Sequence, residues 1–218
     1  MKSMSQSPLI VAIDGPAASG KSTVARKVAA ALGLVFVNSG AMYRAFTWWV
    51  LENGIDPGDT AAVLGLLKST GFECGEEDGT GTIAVGGVRM TRNELAASAV
   101  NAGVSLIAAI PEVRERHVAE QRRYASSRGV VMEGRDIGSV VFPDTTHKFY
   151  IDASPEVREA RRRAEGIVDS IAQRDRIDSS RKASPLVIPD DAMVIDSSEL
   201  GIDEVVGSVL ERIRSSAE

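Results

Sequence analysis

The chain has 218 residues, 44% hydrophobic and 25% charged, a composition suited to one soluble domain with room for an inserted subdomain. Its net charge of −5 argues against general nucleic-acid binding, and no apolar run is long enough to cross a bilayer. The single cysteine, Cys74, excludes an internal disulfide framework and fits a reducing cytoplasm.

Met1 to Pro8 read as a short disordered lead. Residues 9–14 form an apolar run, the first of several continuous strands of the kind buried on both faces of a parallel sheet. The others are 34–38, 130–133, 148–152 and 193–196. Helices are predicted at 21–32, 41–53, 59–69, 92–109, 111–127, 155–172 and 203–215. In the first, Val24, Val28, Ala31 and Leu32 form an apolar stripe. Asp59 and Asp203 suit N-caps or first turns, and Pro111 and Pro155 suit first helical positions. Gly33 and Gly129 read as glycines just past helix ends. Residues 70–91 break the alternation. Short β runs there are separated by Gly79-Thr80-Gly81 and Gly86-Gly87, which predicts a small antiparallel insert beside the main sheet.

Gly15-Pro16-Ala17-Ala18-Ser19-Gly20-Lys21-Ser22 is a complete phosphate loop, set between the first strand and the first helix. Its glycines let backbone amides turn inward around a phosphate, toward which the helix also points its positive end. Lys21 can reach β- and γ-phosphates, and Ser22 can place a hydroxyl on Mg²⁺. The chain is therefore expected to bind a nucleoside triphosphate.

Such a loop does not by itself separate a motor, a switch GTPase and a kinase, although the guanine-reading N-K-x-D segment is missing. Glu133 ends its strand as a metal-assisting acid could, and Gly134-Arg135-Asp136 follow at the strand's carboxyl end, where open α/β sheets bind ligands. Arg135 and Asp136 suit a ligand with an anionic group and a donor-bearing base. Ser39 can cap the helix after the second strand, with Arg44 one turn in, giving a second phosphate site. Arginines clustered in an acidic chain, among them Arg158, Arg161, Arg162, Arg174 and Arg181, point to a local anion site.

Asp14-Gly15-Pro16, Ser39-Gly40-Ala41-Met42-Tyr43-Arg44, Glu133-Gly134-Arg135-Asp136-Ile137-Gly138 and Val140-Val141-Phe142-Pro143 resemble bacterial cytidylate kinases. So do Arg174-Asp175, Asp178, Arg181 and Ser184-Pro185-Leu186, in the same order along the chain. The resemblance implies an α/β nucleoside monophosphate kinase fold of the P-loop type. It has a five-stranded parallel core, an antiparallel β insert that binds the monophosphate, and a mobile lid. On this chain the core would span about 9–60, 111–154 and 192–216, the insert about 61–110 and a compact lid about 155–185.

Carried across by residue, Gly15 to Ser22 and Thr23 would hold ATP, with Arg158 and Arg162 as lid arginines. Ser39, Tyr43 and Arg44 match the motif that receives the monophosphate. Ser105, Arg114 and Asp136 match the positions around cytosine. Arg135, Arg174 and Arg181 match arginines around the phosphates, and Asp178 the acid that holds the ribose. The family commonly has Asp where this chain has Asn38, and the stretch from Arg163 to Arg174 is shorter than usual.

The implied reaction is transfer from ATP, with Mg²⁺, to CMP or dCMP by Lys21, Arg135, Arg174 and Arg181 in a cytoplasmic monomer. His117 and His147 are expected to be structural, and of Trp48 and Trp49 one should pack inward and the other lie partly exposed. UMP/CMP, adenylate and shikimate kinases are the alternatives within the class. A regulatory ATPase that ignores any acceptor is the alternative outside it.

Overall fold

The computed structural model describes residues 8–164, 171–181 and 184–216. Its elements run β1 (Ile10–Asp14), α1 (Lys21–Leu32), β2 (Val35–Asn38), α2 (Ser39–Glu52), α3 (Thr60–Ser69), β3 (Phe72–Glu77), β4 (Thr80–Val85) and β5 (Val88–Arg89). They continue with α4 (Arg92–Leu95), α5 (Ser98–Ala109), α6 (Pro111–Ala125), β6 (Val130–Gly134), a π-helical turn (Ile137–Val141) and β7 (His147–Asp152). The chain then forms α7 (Pro155–Ala164), α8 (Ile171–Ser180), β8 (Met193–Asp196) and α9 (Ile202–Ser215). Of the expected lead, Met1 to Pro8, residues 1–7 lie outside the described residues.

The sheet order is β3-β4-β2-β6-β1-β7-β8, with β2, β6, β1, β7 and β8 mutually parallel. Alternation along these strands divides the core. Val11, Ile13, Val131, Phe149 and Ile151 pack with α1 and α9, whereas Ala12, Val35, Val37 and Met132 pack with Tyr124 of α6 and with the π turn. Register brings Asn38, Glu133 and Ile13 level, so β2, β6 and β1 end along one edge. The chain departs from β1 to one side for β2 and returns across it for β7, which opens a crevice above β1 and β6.

The insert differs from expectation in one respect. Its three strands are antiparallel, but β4 also pairs with β2 through Phe36 and Thr80, so the insert extends the main sheet. Thr80 and Gly81 belong to this strand, and the tight turn falls on Asp78 and Gly79, both at positive φ. A third core, formed by Met42, Phe46, Phe72, Val85, Val104 and Ile107, binds the insert to α2 and α5.

Local departures have physical causes. The helix expected over 92–109 divides into α4 and α5, because Ala97 is extended at φ −55° and ψ 144°. The side chain of Asn101 donates to the freed carbonyl of Ala96 at 2.8 Å. Of the helix expected over 155–172, residues 155–164 form α7 and residues 171–172 open α8, while 165–170 lie outside those described. Gly129 does not close a helix, since α6 ends at Ala125. A Cβ there would lie 2.6 Å from Leu34 Cδ2, so its role is close approach. Gly33, by contrast, closes α1 at φ +64°. The stripe on α1 runs through Val24, Ala25, Val28 and Ala29, while Ala31 is exposed. Trp48 and Trp49 are both half-buried.

Candidate functional site

A cleft of about 730 Å³ opens at the shared carboxyl edge of β1, β2 and β6. Its donor end is the loop between β1 and α1. Gly15 sits at φ +152°, and a Cβ there would lie 2.1 Å from the Ile151 carbonyl of β7, so no larger residue fits. Gly20 precedes α1 as its N-cap at φ +87°, and Ala18 also adopts a left-handed conformation. Within the loop Gly15, Pro16 and Ser19 are buried away from the cleft, which Ala17, Ala18, Gly20, Lys21, Ser22 and Thr23 line.

Lys21 is buried and its Nζ donates to the Pro16 carbonyl at 2.8 Å. Burial, and then the positive charge of Arg135, push its pKa down to about 7. Without a phosphate the loop thus holds a reluctant cation. Ser22 Oγ donates to Glu133 Oε1 at 2.8 Å, joining the start of α1 to the end of β6. Glu133 itself is buried.

At the acceptor end Asn38, rather than Ser39, caps α2. Its Oδ1 accepts from the Ala41 amide at 2.9 Å. An amide oxygen caps as a carboxylate oxygen would, so Asn38 makes this bond as well as an Asp could. Ser39 is the first helical residue, and its hydroxyl donates to the Glu133 carbonyl at 2.8 Å. Gly134 makes that approach possible, because a Cβ there would lie 2.5 Å from Ser39 Oγ. Arg44 lines the cleft one turn further on.

Tyr43 faces the cleft and stacks on His117 with centroids 4.3 Å apart and planes 9° from parallel. The Tyr43 hydroxyl is buried without a hydrogen-bond partner. His117 is fully buried, with Nδ1 2.9 Å from the Val113 carbonyl and Nε2 3.3 Å from that of Met42. Burial pushes its pKa down to about 4, so the ring is neutral and structural at physiological pH. Arg114, 3% exposed, forms an ion pair with Asp136 and donates to the Ala108 carbonyl at 3.1 Å. Its guanidinium lies 5.4 Å from the Tyr43 ring centroid. Ser105 is buried in the same wall.

Helix α8 closes the third side. Asp178 accepts from Arg135 Nε at 2.9 Å and pairs with Arg181 at 3.3 Å. These three groups and Arg162 line the cleft. Arg158 does not. Its guanidinium lies behind the phosphate loop, where it donates to the carbonyls of Ala153 and Ala17 and pairs with Asp175 at 2.6 Å. The expected role of Arg174 rests on a side chain outside the described residues.

Lys21, Ser22, Ser39, Tyr43, Arg44, Ser105, Arg114, Arg135, Asp136, Asp178 and Arg181 therefore share one cavity, although they lie far apart in sequence. Three further contributors are given no role by the sequence, although Asp14 and Asp175 lie in segments that carry the family resemblance: the Asn38 cap, the Asp175 partner of Arg158, and Asp14 beneath the cleft. A Ser-Asn pair before a helix leaves open which residue caps it. The other two are recognisable only from contacts across the fold.

The family model described as cytidylate kinase matches residues 11–215. A cytidylate kinase of Streptomyces avermitilis is 41% identical over 211 residues, covering 93% of this chain and 91% of its own length. Another, from Pelotomaculum thermopropionicum, is 43% identical over 216 residues, covering 93% and 95%. Among solved structures a gluconokinase from Sinorhizobium meliloti superposes with a TM-score of 0.51 at 14% identity, over 97% of each chain, a likeness of fold alone. No helix among the described residues is long and apolar enough to cross a membrane. Agreement over nearly the whole sequence, at such identity, means that this chain belongs to the cytidylate kinase family.

Proposed function

We propose that the chain transfers the γ-phosphoryl group of ATP to the 5′-phosphate of CMP or dCMP, giving ADP and the pyrimidine nucleoside diphosphate. The observation that carries this reading is the buried Arg114 and Asp136 pair, set in the same cavity as Lys21. A carboxylate there can accept from the exocyclic amine of cytosine, a donor that uracil lacks. The neighbouring Tyr43 and Arg114 suit the rest of a planar ring.

The acceptor phosphate has a second pKa of about 6 and is largely dianionic near neutrality, so it attacks without a general base. Catalysis then rests on alignment and charge. Ser39 and Arg44 receive the acceptor phosphate at the start of α2, while Lys21 and the loop amides hold the donor phosphates. Arg135 and Arg181, which line the same cleft, present planar donors to phosphate oxygens. Asp178 keeps both guanidinium groups in place until nucleotides arrive, and takes the ribose hydroxyls afterwards. Residues of the insert and of α7 and α8 close over the cleft and exclude water.

Mg²⁺ fits the hard oxygen donors Ser22 and Glu133, which meet at 2.8 Å, because this ion takes few protein ligands beside phosphates and water. When bound it supplies neutralisation of charge on the donor phosphates. A monomer is the working unit of this reading, and the lone cysteine suits a reducing cytoplasm.

The test is ADP release from ATP and Mg²⁺ with CMP, dCMP, UMP, AMP or shikimate, and with no acceptor. CMP and dCMP should give the highest kcat/KM. Equal ADP release with and without CMP would sink the kinase reading.

A further inference from the structure

Asp14, the last residue of β1, is buried beside the phosphate loop but does not line the cleft. Its carboxylate crosses to the neighbouring strand's exit. Oδ1 accepts from the Ile137 amide at 2.8 Å and Oδ2 from the Gly138 amide at 2.7 Å. These amides open the π turn that follows Arg135 and Asp136. The same turn holds Asp136 from its other side, since Val140 and Val141 amides donate to the Asp136 carbonyl at 2.9 and 3.1 Å. Asp136 is thus the link between a turn pinned by Asp14 and the buried guanidinium of Arg114.

The chemistry restricts what can stand at position 14. Here each of two adjacent amides has its own acceptor oxygen on one short stem, which a carboxylate supplies. An Asn in the same position would turn an NH₂ donor toward one of the two buried N–H groups. Gly138 leaves room for this contact, since a Cβ there would lie 3.2 Å from Lys148 Cγ and 3.4 Å from Asp14 Oδ2. Burial pushes the Asp14 pKa up to about 7, a cost in the charged form that a merely space-filling residue would not incur.

We propose that Asp14 is a positioning residue for pyrimidine choice, fixing Asp136 through the Ile137 and Gly138 amides; this rests on the CMP reading above. Asp14 acts on the acceptor base although it belongs in sequence to the donor loop.

Asp14→Asn should lower the ratio of kcat/KM for CMP to that for UMP at least tenfold and raise the KM for CMP, with the KM for ATP moving less than threefold. The loss should act through Asp136, so adding Asp14→Asn to Asp136→Asn should change the ratio less than twofold further. An unchanged ratio in Asp14→Asn, or equal losses for all substrates including ATP, would overturn the proposal. If Asp14→Asn does not fold, Asp14→Glu, which keeps the charge but displaces the oxygens, should shift the ratio in the same direction. Hydrogen exchange of the wild type gives a check free of substitution: free exchange at the Ile137 and Gly138 amides would also overturn it. A wild type that does not prefer CMP to UMP would instead refute the underlying reading.

Discussion

Arg135 and Asp178 meet at 2.9 Å across the mouth of the cleft, tying the end of β6 to α8. Asp178 also pairs with Arg181, so a single carboxylate separates two guanidinium groups that would otherwise repel. Asp178→Asn should therefore loosen α8 in the free protein, seen as faster proteolysis within residues 171–181. It should also raise the KM for CMP about tenfold, by loss of one charge-assisted hydrogen bond. If the carboxylate holds ribose hydroxyls, the penalty should be smaller for dCMP, which lacks one of them. Equal penalties for CMP and dCMP would remove the 2′-hydroxyl from this account.

Burial lowers the pKa of Lys21 to about 7, so the free protein holds it only partly protonated near neutrality. Donor phosphates favour its charged form, so ATP binding should take up a fraction of a proton at pH 7, and more at pH 8. Calorimetry in buffers of different ionisation heat measures this uptake. Lys21→Met keeps the buried stem and removes the ammonium. It should abolish that proton uptake and lower kcat about 100-fold or more, the usual cost of losing one charge aimed at the transition state. Uptake that persists in the variant would assign the proton elsewhere.

The parts of the fold encoded by neighbouring residues were legible in the sequence. The phosphate loop needs its glycines in a fixed spacing, and the parallel strands are continuous apolar runs. The parts that depend on one distant contact were not. Nothing near Thr80 says that it pairs with Phe36 and carries the insert onto the sheet edge. Ser39 is as good a cap as Asn38, and the choice is made by the Glu133 carbonyl, 94 positions away, which takes the Ser39 hydroxyl. The resemblance to a family named candidate residues for the cleft without saying which of them meet. Asp178 with Arg135 and Asp136 with Arg114 are pairings of the folded chain.

Asp136→Asn separates base choice from the fold. The amide keeps an acceptor for the cytosine amine but adds a donor that can face the uracil carbonyl, so the preference for CMP over UMP should fall at least tenfold. Arg114 remains buried and loses its counter-charge, which should also lower the unfolding free energy by about 1–3 kcal/mol. A variant that is less stable yet discriminates as well as the wild type would mean that Asp136 serves only to neutralise Arg114.

His117 makes a prediction about pH that is independent of catalysis. Burial lowers its pKa from 6.5 to about 4 in the folded protein, so unfolding takes up a proton between those values. The stability it contributes is fully present above pH 6.5 and is lost as pH falls through 4, by up to about 3 kcal/mol. His117→Phe keeps a ring against Tyr43 and removes the titration. Denaturant unfolding at a series of pH values should then show a shallower loss of stability between pH 6.5 and 4 in the variant, whatever its stability at pH 7.5. Parallel curves for the two proteins would mean that His117 is not held neutral by the Tyr43, Phe46 and Phe72 cluster around it.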